Sequence, residues 1–239
     1  MLRSFFRKRR PVFPPPAPGR PLLVIGDVHG RMDLLDQALA AGDGAQIVLV
    51  GDYIDRGDDS ARVVRRLAAQ ANAVCLMGNH EEMLLGFLDD PVKYGPRWLR
   101  FGGLQTLLSF GVGEVSETAA PERLTAARDR LADAMGADLI AWLGALPSLW
   151  QAGNVAVTHA GADPALPLEA QSDRSLRWGH PDFTSTPRTD GLWVVHGHTI
   201  MDAATMEDGR IAVDTGAYAT GRLSAARLTD EAVSFETYS

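Results

Sequence analysis

Five short segments of this chain hold residues able to bind metal ions or move protons. They are Gly26-Asp27-Val28-His29-Gly30, Gly51-Asp52-Tyr53-Ile54-Asp55-Arg56-Gly57, Gly78-Asn79-His80-Glu81, His159-Ala160-Gly161 and Gly197-His198-Thr199. Their carboxylate, imidazole and amide oxygens suit Mn, Fe, Zn or Mg rather than Cu(I) or iron–sulfur chemistry. Each segment alone also reads as an ordinary turn or helix cap. Five of the six histidines, however, fall within or beside them. That coincidence points to a metal site. Asp27 and His29, two apart in an extended segment, point to the same side and can share one ion.

The surrounding sequence supplies elements that could bring the segments together. Short apolar runs at 22–25, 47–50 and 73–77 each stop at a Gly followed by Asp or Asn. Helical spacing follows at 32–41, 60–69 (with Ser60 as a plausible N-cap) and 81–88. This alternation predicts βαβ units and a mainly parallel sheet, an α/β fold. Residues 91–146 read as helical, and strand signals return at 154–157, 192–195 and 210–213. Asp208-Gly209 marks a turn before the last of these. Ligands of open α/β sheets lie at the carboxyl ends of strands, where every one of the five segments falls.

In order and spacing, the blocks resemble the metallophosphoesterases, and among them the PPP-type serine/threonine protein phosphatases of bacteria and phages. The family pattern runs G-D-x-H-G, G-D-x-x-D-R-G, G-N-H-E, a His near a Gly, then G-H. The resemblance covers residues 22 to about 228, including Gly103–Gly111 and Val213-Asp214-Thr215-Gly216-Ala217. It implies a central β-sandwich of mixed sheets flanked by helices, with 91–146 as a helical cap within a catalytic domain of residues 21–239. It also implies two divalent ions, with Mn²⁺ expected and Fe or Zn as alternatives. Asp27, His29 and Asp52 would hold one ion; Asp52, Asn79, His159 and His198 would hold the other. A hydroxide shared by the ions would attack phosphorus in line. Arg56 would fork onto phosphate oxygens. His80, oriented by Asp55, would protonate the leaving alkoxide, and Glu81 would support the start of its helix.

Two histidines stand apart. His196 shares a face with His198 if its strand persists, and is expected to support rather than ligate. Broader relatives carry G-H-x-H, but Ile200 occupies that second position here. His180 falls where the family has W-x-R, whose arginine is a second phosphate clamp. Either His180 takes that place, or Arg177 or Arg174 supplies the clamp.

These features lead to a phosphomonoesterase acting on phosphoserine or phosphothreonine in a protein or peptide. The enzymatic alternative is symmetric dinucleoside polyphosphate hydrolysis. Relatives with that activity typically show alanine at the place of Asp55, and G-N-H-D in place of Gly78-Asn79-His80-Glu81. A catalytically weak phospho-reader is the rival from another class, but a reader needs no general acid.

The composition fits an ordinary globular chain, 46% hydrophobic and 22% charged over 239 residues. Nothing approaches the roughly 18 consecutive apolar residues of a membrane span. Six of the 23 basic residues lie in the first 20, leaving 17 against all 30 acids in the remainder. So acidic a body argues against nucleic-acid binding. Residues 1–20, basic and then proline-rich, read as a flexible tail capable of weak contact with an anionic membrane surface. The only cysteine, Cys75, excludes an internal disulfide and reads as a buried hydrophobe; a cytoplasmic setting is expected.

Overall fold

The computed structural model describes residues 13–239. Two five-stranded sheets lie face to face, with helices covering the outer face of the first. The first sheet is built from β1 (Leu22–Ile25), β2 (Gln46–Leu49), β3 (Ala73–Cys75), β9 (Leu223–Leu228) and β10 (Val233–Tyr238), in the order β10-β9-β1-β2-β3. The second contains β4 (Leu149–Ala152), β5 (Val155–Thr158), β6 (Trp193–His196), β7 (Thr205–Glu207) and β8 (Arg210–Ala212), in the order β4-β5-β6-β8-β7.

Strand periodicity decides which side chains face which layer. Leu22 and Val24 of β1 and Val48 of β2 meet Val155, Val157, Val195 and Ile211 between the sheets. Their alternates Leu23, Ile25, Ile47 and Leu49 pack beneath the helices α1 (Met32–Ala40), α2 (Ser60–Ala68) and α3 (Asn79–Asp89). Burial on both faces explains why these strands read as unbroken apolar runs.

The β1-β2-β3 and β5-β6-β8 pairings are parallel, as the alternation predicts. Both sheets are nevertheless mixed. β9 and β10 join the first sheet antiparallel, and β4 and β7 flank the second antiparallel. Ser60 differs from its expected role. Asp59 holds the N-cap position of α2, while the Ser60 hydroxyl accepts a hydrogen bond from Asp55 N at 3.1 Å.

Residues 91–146 form α4 (Pro91–Trp98), α5 (Leu104–Ser109), α6 (Pro121–Met135) and α7 (Ala137–Gly144). Proline at N1 starts both α4 and α6, and the Asp90 carboxylate accepts from Lys93 N at the start of α4. Trp98, Leu107, Leu131 and Leu143 of these helices share one core with α2 and α3.

The expected flexible tail needs correction for residues 13–20. The Phe13 ring packs 5.4 Å from the Trp193 ring, whose N–H donates to the Pro14 carbonyl at 2.8 Å. Ala17 N donates to Asn154 Oδ1, and Asn154 Nδ2 donates to the Pro15 carbonyl. Prolines that cannot join a sheet ladder still offer carbonyls and ring surface, and Pro16 and Pro18 are buried. Arg3, Arg7, Lys8, Arg9 and Arg10, and with them the expected membrane contact, lie outside the described residues. Among the described residues no helix is long and apolar enough to cross a membrane.

Candidate dinuclear metal centre

All five segments meet at the carboxyl ends of β1, β2, β3, β5 and β6. Local backbone geometry aims their side chains. His29, Asp52, Asp55, Arg56 and His198 all adopt left-handed conformations, with φ between 43° and 69°. Such angles are unfavourable for residues with a Cβ, and they persist where surrounding structure holds them. Glu81 supplies part of that hold. Its carboxylate accepts from Asp52 N at 2.9 Å, Tyr53 N at 2.8 Å and Gly78 N at 3.0 Å, tying the start of α3 to the loop after β2. Burial and the Asp52 charge push Glu81 up to about 8, against the pull of those N–H groups.

Two triads share Asp52: His29–Asp52–His80 and Asp52–His159–His198, each with donor atoms within 4.8 Å of one another. Backbone carbonyls fix which imidazole nitrogens are bare. His29 Nδ1 faces the Ile54 carbonyl at 2.7 Å and His159 Nδ1 faces the Val50 carbonyl at 3.1 Å, so in each the Nε2 lone pair points inward. Burial lowers His29 to about 3 and His159 to about 4, keeping both neutral. Burial lowers His198 as well.

Asn79 Oδ1 lies 2.9 Å from both His159 Nε2 and His198 Nδ1, and those two nitrogens are 3.2 Å apart. Three groups rich in lone pairs thus converge on one point. On the other side, burial and the charges of Asp214 and Asp52 raise Asp27 well above the usual carboxylate range. Asp214 is pushed up to about 6, first by burial and then by Asp52. At Asp52 burial also raises the carboxyl, but the surrounding imidazoles outweigh it and hold the group low. Neutral imidazoles, an amide oxygen and crowded buried acids make a donor set short of positive charge. Two divalent cations fit it.

Asp27 belongs to neither triad. Its carboxylate accepts from His198 N, and Gly197 keeps this approach open, since a Cβ there would land on Asp27 Oδ1. Arg56 leans on the Tyr218 ring (4.8 Å) and donates from Nη1 to His29 Nε2 at 3.0 Å. Gly102, at φ 110°, lets the chain pass close enough for its carbonyl to accept from Arg56 N. His80 Nδ1 meets Asp55 Oδ2 at 2.6 Å. Asp55 is fully buried and also accepts from Thr106 Oγ1 at 2.6 Å and Trp98 Nε1 at 2.9 Å. Burial lowers the His80 pKa, but the Asp52 and Asp55 carboxylates outweigh it and raise it overall.

The remaining candidates lie elsewhere. β6 ends at His196, and the left-handed turn at His198 sends the two imidazoles apart. His196 Nδ1 faces the Gly197 carbonyl, its ring meets Phe183 edge-on, and burial lowers it to about 4. Arg177 is committed to Glu82, Asp173 and the Ser148 hydroxyl. His180 sits 3.6 Å from Asp163, and Arg174 is exposed. None of these three joins the histidine cluster. Cys75 is buried, its thiol pushed up to about 12 by that burial. Sequence reasoning gave no site role to Trp98, Thr106, Asp214 or Tyr218. Thr106 and Asp214 lie inside quoted family blocks, which was the available signal; Trp98 and Tyr218 left none.

The chain belongs to the calcineurin-like phosphoesterases, whose family model matches residues 20–202. It is therefore a metal-dependent phosphoesterase of a family built around dinuclear sites. It is 26% identical to a symmetrical bis(5'-nucleosyl)-tetraphosphatase of Ralstonia nicotianae, over 86% of this chain and 88% of that one. It is 25% identical to serine/threonine-protein phosphatase 2 of Salmonella typhimurium, over 86% and 91%. Among solved structures, a putative diadenosine tetraphosphatase superposes with a TM-score of 0.65 at 22% identity, covering 92% of this chain and 94% of that one. That likeness is one of fold.

Proposed function

We propose that this protein hydrolyses dinucleoside polyphosphates such as diadenosine tetraphosphate. The observation that carries this reading is the nearly full-length similarity to a symmetrical tetraphosphatase. It replaces phosphoprotein hydrolysis as the first choice. In the proposed division of labour Asp27, His29 and Asp52 hold one ion, and Asp52, Asn79, His159 and His198 hold the other. Two bound divalent ions, Mn²⁺ by expectation, supply the charge that acidifies an attacking water and neutralises phosphoryl oxygens. Arg56, steadied by Tyr218, forks onto the phosphate being cleaved. His80 hands a proton to the departing oxygen, and Asp55 keeps its ring oriented.

One observation favours phosphomonoesters as a second reading. The buried His80–Asp55 pair is a well-supported acid, and a serine alkoxide needs protonation far more than a departing nucleoside diphosphate does. A substrate panel decides. Mn²⁺-loaded protein is expected to show higher kcat/KM on diadenosine tetraphosphate than on a phosphoserine peptide, with ADP as the sole nucleotide product. Preference for the phosphopeptide overturns the first reading. Absence of turnover on both and on p-nitrophenyl phosphate would leave a phospho-reader.

A further inference from the structure

Along α3, the helix that opens with Asn79 and His80, lies a cavity of 410 Å³ between α3, α4 and the end of α8 (Asp173–Trp178). One wall, α3, also carries site residues, and α8 is tied by a backbone bond to the loop that holds His159. Asn79 and His80 open α3, and Leu85 lies six residues beyond Asn79, roughly 9 Å along the helix axis. On the other flank, Leu176 of α8 accepts through its carbonyl from Ala160 N, next to His159. We propose that this cavity is the subsite for one purine base of the substrate. The proposal rests on the dinucleoside reading above.

The lining matches a flat, neutral, amino-bearing ring. Met83, Leu85, Tyr94 and Trp178 give apolar and aromatic surface, and the Arg97 guanidinium lies 4.7 Å over the Trp178 ring. Bases stack on aromatic rings and on arginine planes alike. Trp178 is held in place because its N–H donates to Glu82 Oε1 at 3.1 Å, while Arg177 pairs with the other oxygen. Two acids, Glu82 and Asp89, line the cavity against one cation, Arg97. With Glu82 paired to Arg177 and Trp178, Asp89 is the carboxylate that offers an acceptor to an exocyclic amino group. The phosphate chain is assigned to the metal centre and Arg56, and the base to the cavity. The volume falls within the range typical of small-ligand sites.

The test uses Mn²⁺-loaded protein turning over p-nitrophenyl phosphate, inhibited by AMP or by ribose 5-phosphate. These differ at the anomeric carbon, which carries adenine in AMP and a hydroxyl in ribose 5-phosphate. AMP is expected to bind about tenfold more tightly, the value of one good stacking contact. In Trp178→Leu the two inhibition constants should converge to within about twofold, and in Tyr94→Ala, at an exposed position, the gap should narrow. A ratio taken within one protein cancels any loss of metal or folded fraction. Saturation-transfer NMR with adenosine gives a second readout independent of turnover, with signal at the base protons of wild type that falls in both variants. Equal inhibition by AMP and ribose 5-phosphate in wild type, or a gap and NMR signal intact in both variants, overturns the proposal. Failure of the dinucleoside reading is distinct from either: no turnover of diadenosine tetraphosphate although AMP retains its advantage.

Discussion

Replacing Asp55 by Asn isolates the charge behind the proposed general acid. The carboxylate collects three donors on two oxygens, His80 Nδ1 and Trp98 Nε1 on Oδ2 and Thr106 Oγ1 on Oδ1. An amide can satisfy the same geometry in one orientation. Its oxygen turns toward His80 and Trp98, and its NH₂ toward Thr106, whose hydroxyl can rotate and donate instead to Ser60 Oγ, 3.2 Å away. The imidazole therefore keeps its place and loses only its anionic partner. A charge-assisted bond of about 1.5–3 kcal/mol becomes a neutral one of about 1 kcal/mol. The difference, about 0.5–2 kcal/mol, corresponds to roughly a 2- to 30-fold loss in rate where protonation of the leaving group limits. An alkyl phosphate such as a phosphoserine peptide should show that loss in kcat/KM. p-Nitrophenyl phosphate and diadenosine tetraphosphate, with weakly basic leaving groups, should lose little. Metal content, measured by elemental analysis, should not change. Equal losses on all three substrates, or loss of metal, would refute the role given to His80 and Asp55.

Three further outcomes follow from the same geometry. Chelation should abolish turnover and, at metal levels about 100-fold above Kd, remove about 2.7 kcal/mol of stability; calorimetry should show Tm falling by about 5–10 °C, Mn²⁺ should restore both, and Asp52→Asn should bind less metal. His196, held neutral with its pKa lowered to about 4, takes up its proton later than the unfolded chain does, so its contribution is lost as pH falls from about 6.5 toward 4; urea titrations should show a shallower acid limb in His196→Gln, by up to roughly 3 kcal/mol, and an identical limb counts against its burial as neutral imidazole. Truncation to begin at Pro21 removes the Pro14 carbonyl from Trp193 and both partners of Asn154, and should lower stability by about 1–3 kcal/mol net of ordering; an unchanged urea midpoint would mean that residues 13–20 contribute nothing.

Much of the site was legible because its chemistry sits at strand ends marked by glycine. The runs at 22–25 and 47–50 announce themselves by being apolar on both faces, and the Asp, Asn and His that follow are thereby placed. β9 and β10 were harder to see. Leu223–Leu228 contains small and polar residues, and most of Val233–Tyr238 alternates with solvent, so neither gives a long apolar run. The divergence of His196 from His198 depends on one left-handed residue, which strand periodicity cannot foresee. The support of Asp55 by Trp98 and Thr106 joins positions more than 40 residues apart. Proline-rich composition misled at residues 13–20, because it excludes helix and sheet interior without excluding attachment through carbonyls and rings.

The position of β1 in the first sheet has a consequence for how the chain is made. β1 lies between β2 and β9, and Leu22 pairs with Leu228. Just ahead of it, Pro14 and Ala17 are bound by Trp193 and Asn154, 179 and 137 residues further on. A ribosome delivers residues 13–25 long before any of these partners emerges. Until then β1 is a fully apolar strand with one open edge, a template for pairing with other chains. Contacts spanning most of the sequence also slow the final closure. Nascent chains should depend on a holding chaperone up to release of the C-terminus, and premature termination before Leu223 should yield aggregate rather than a smaller folded enzyme.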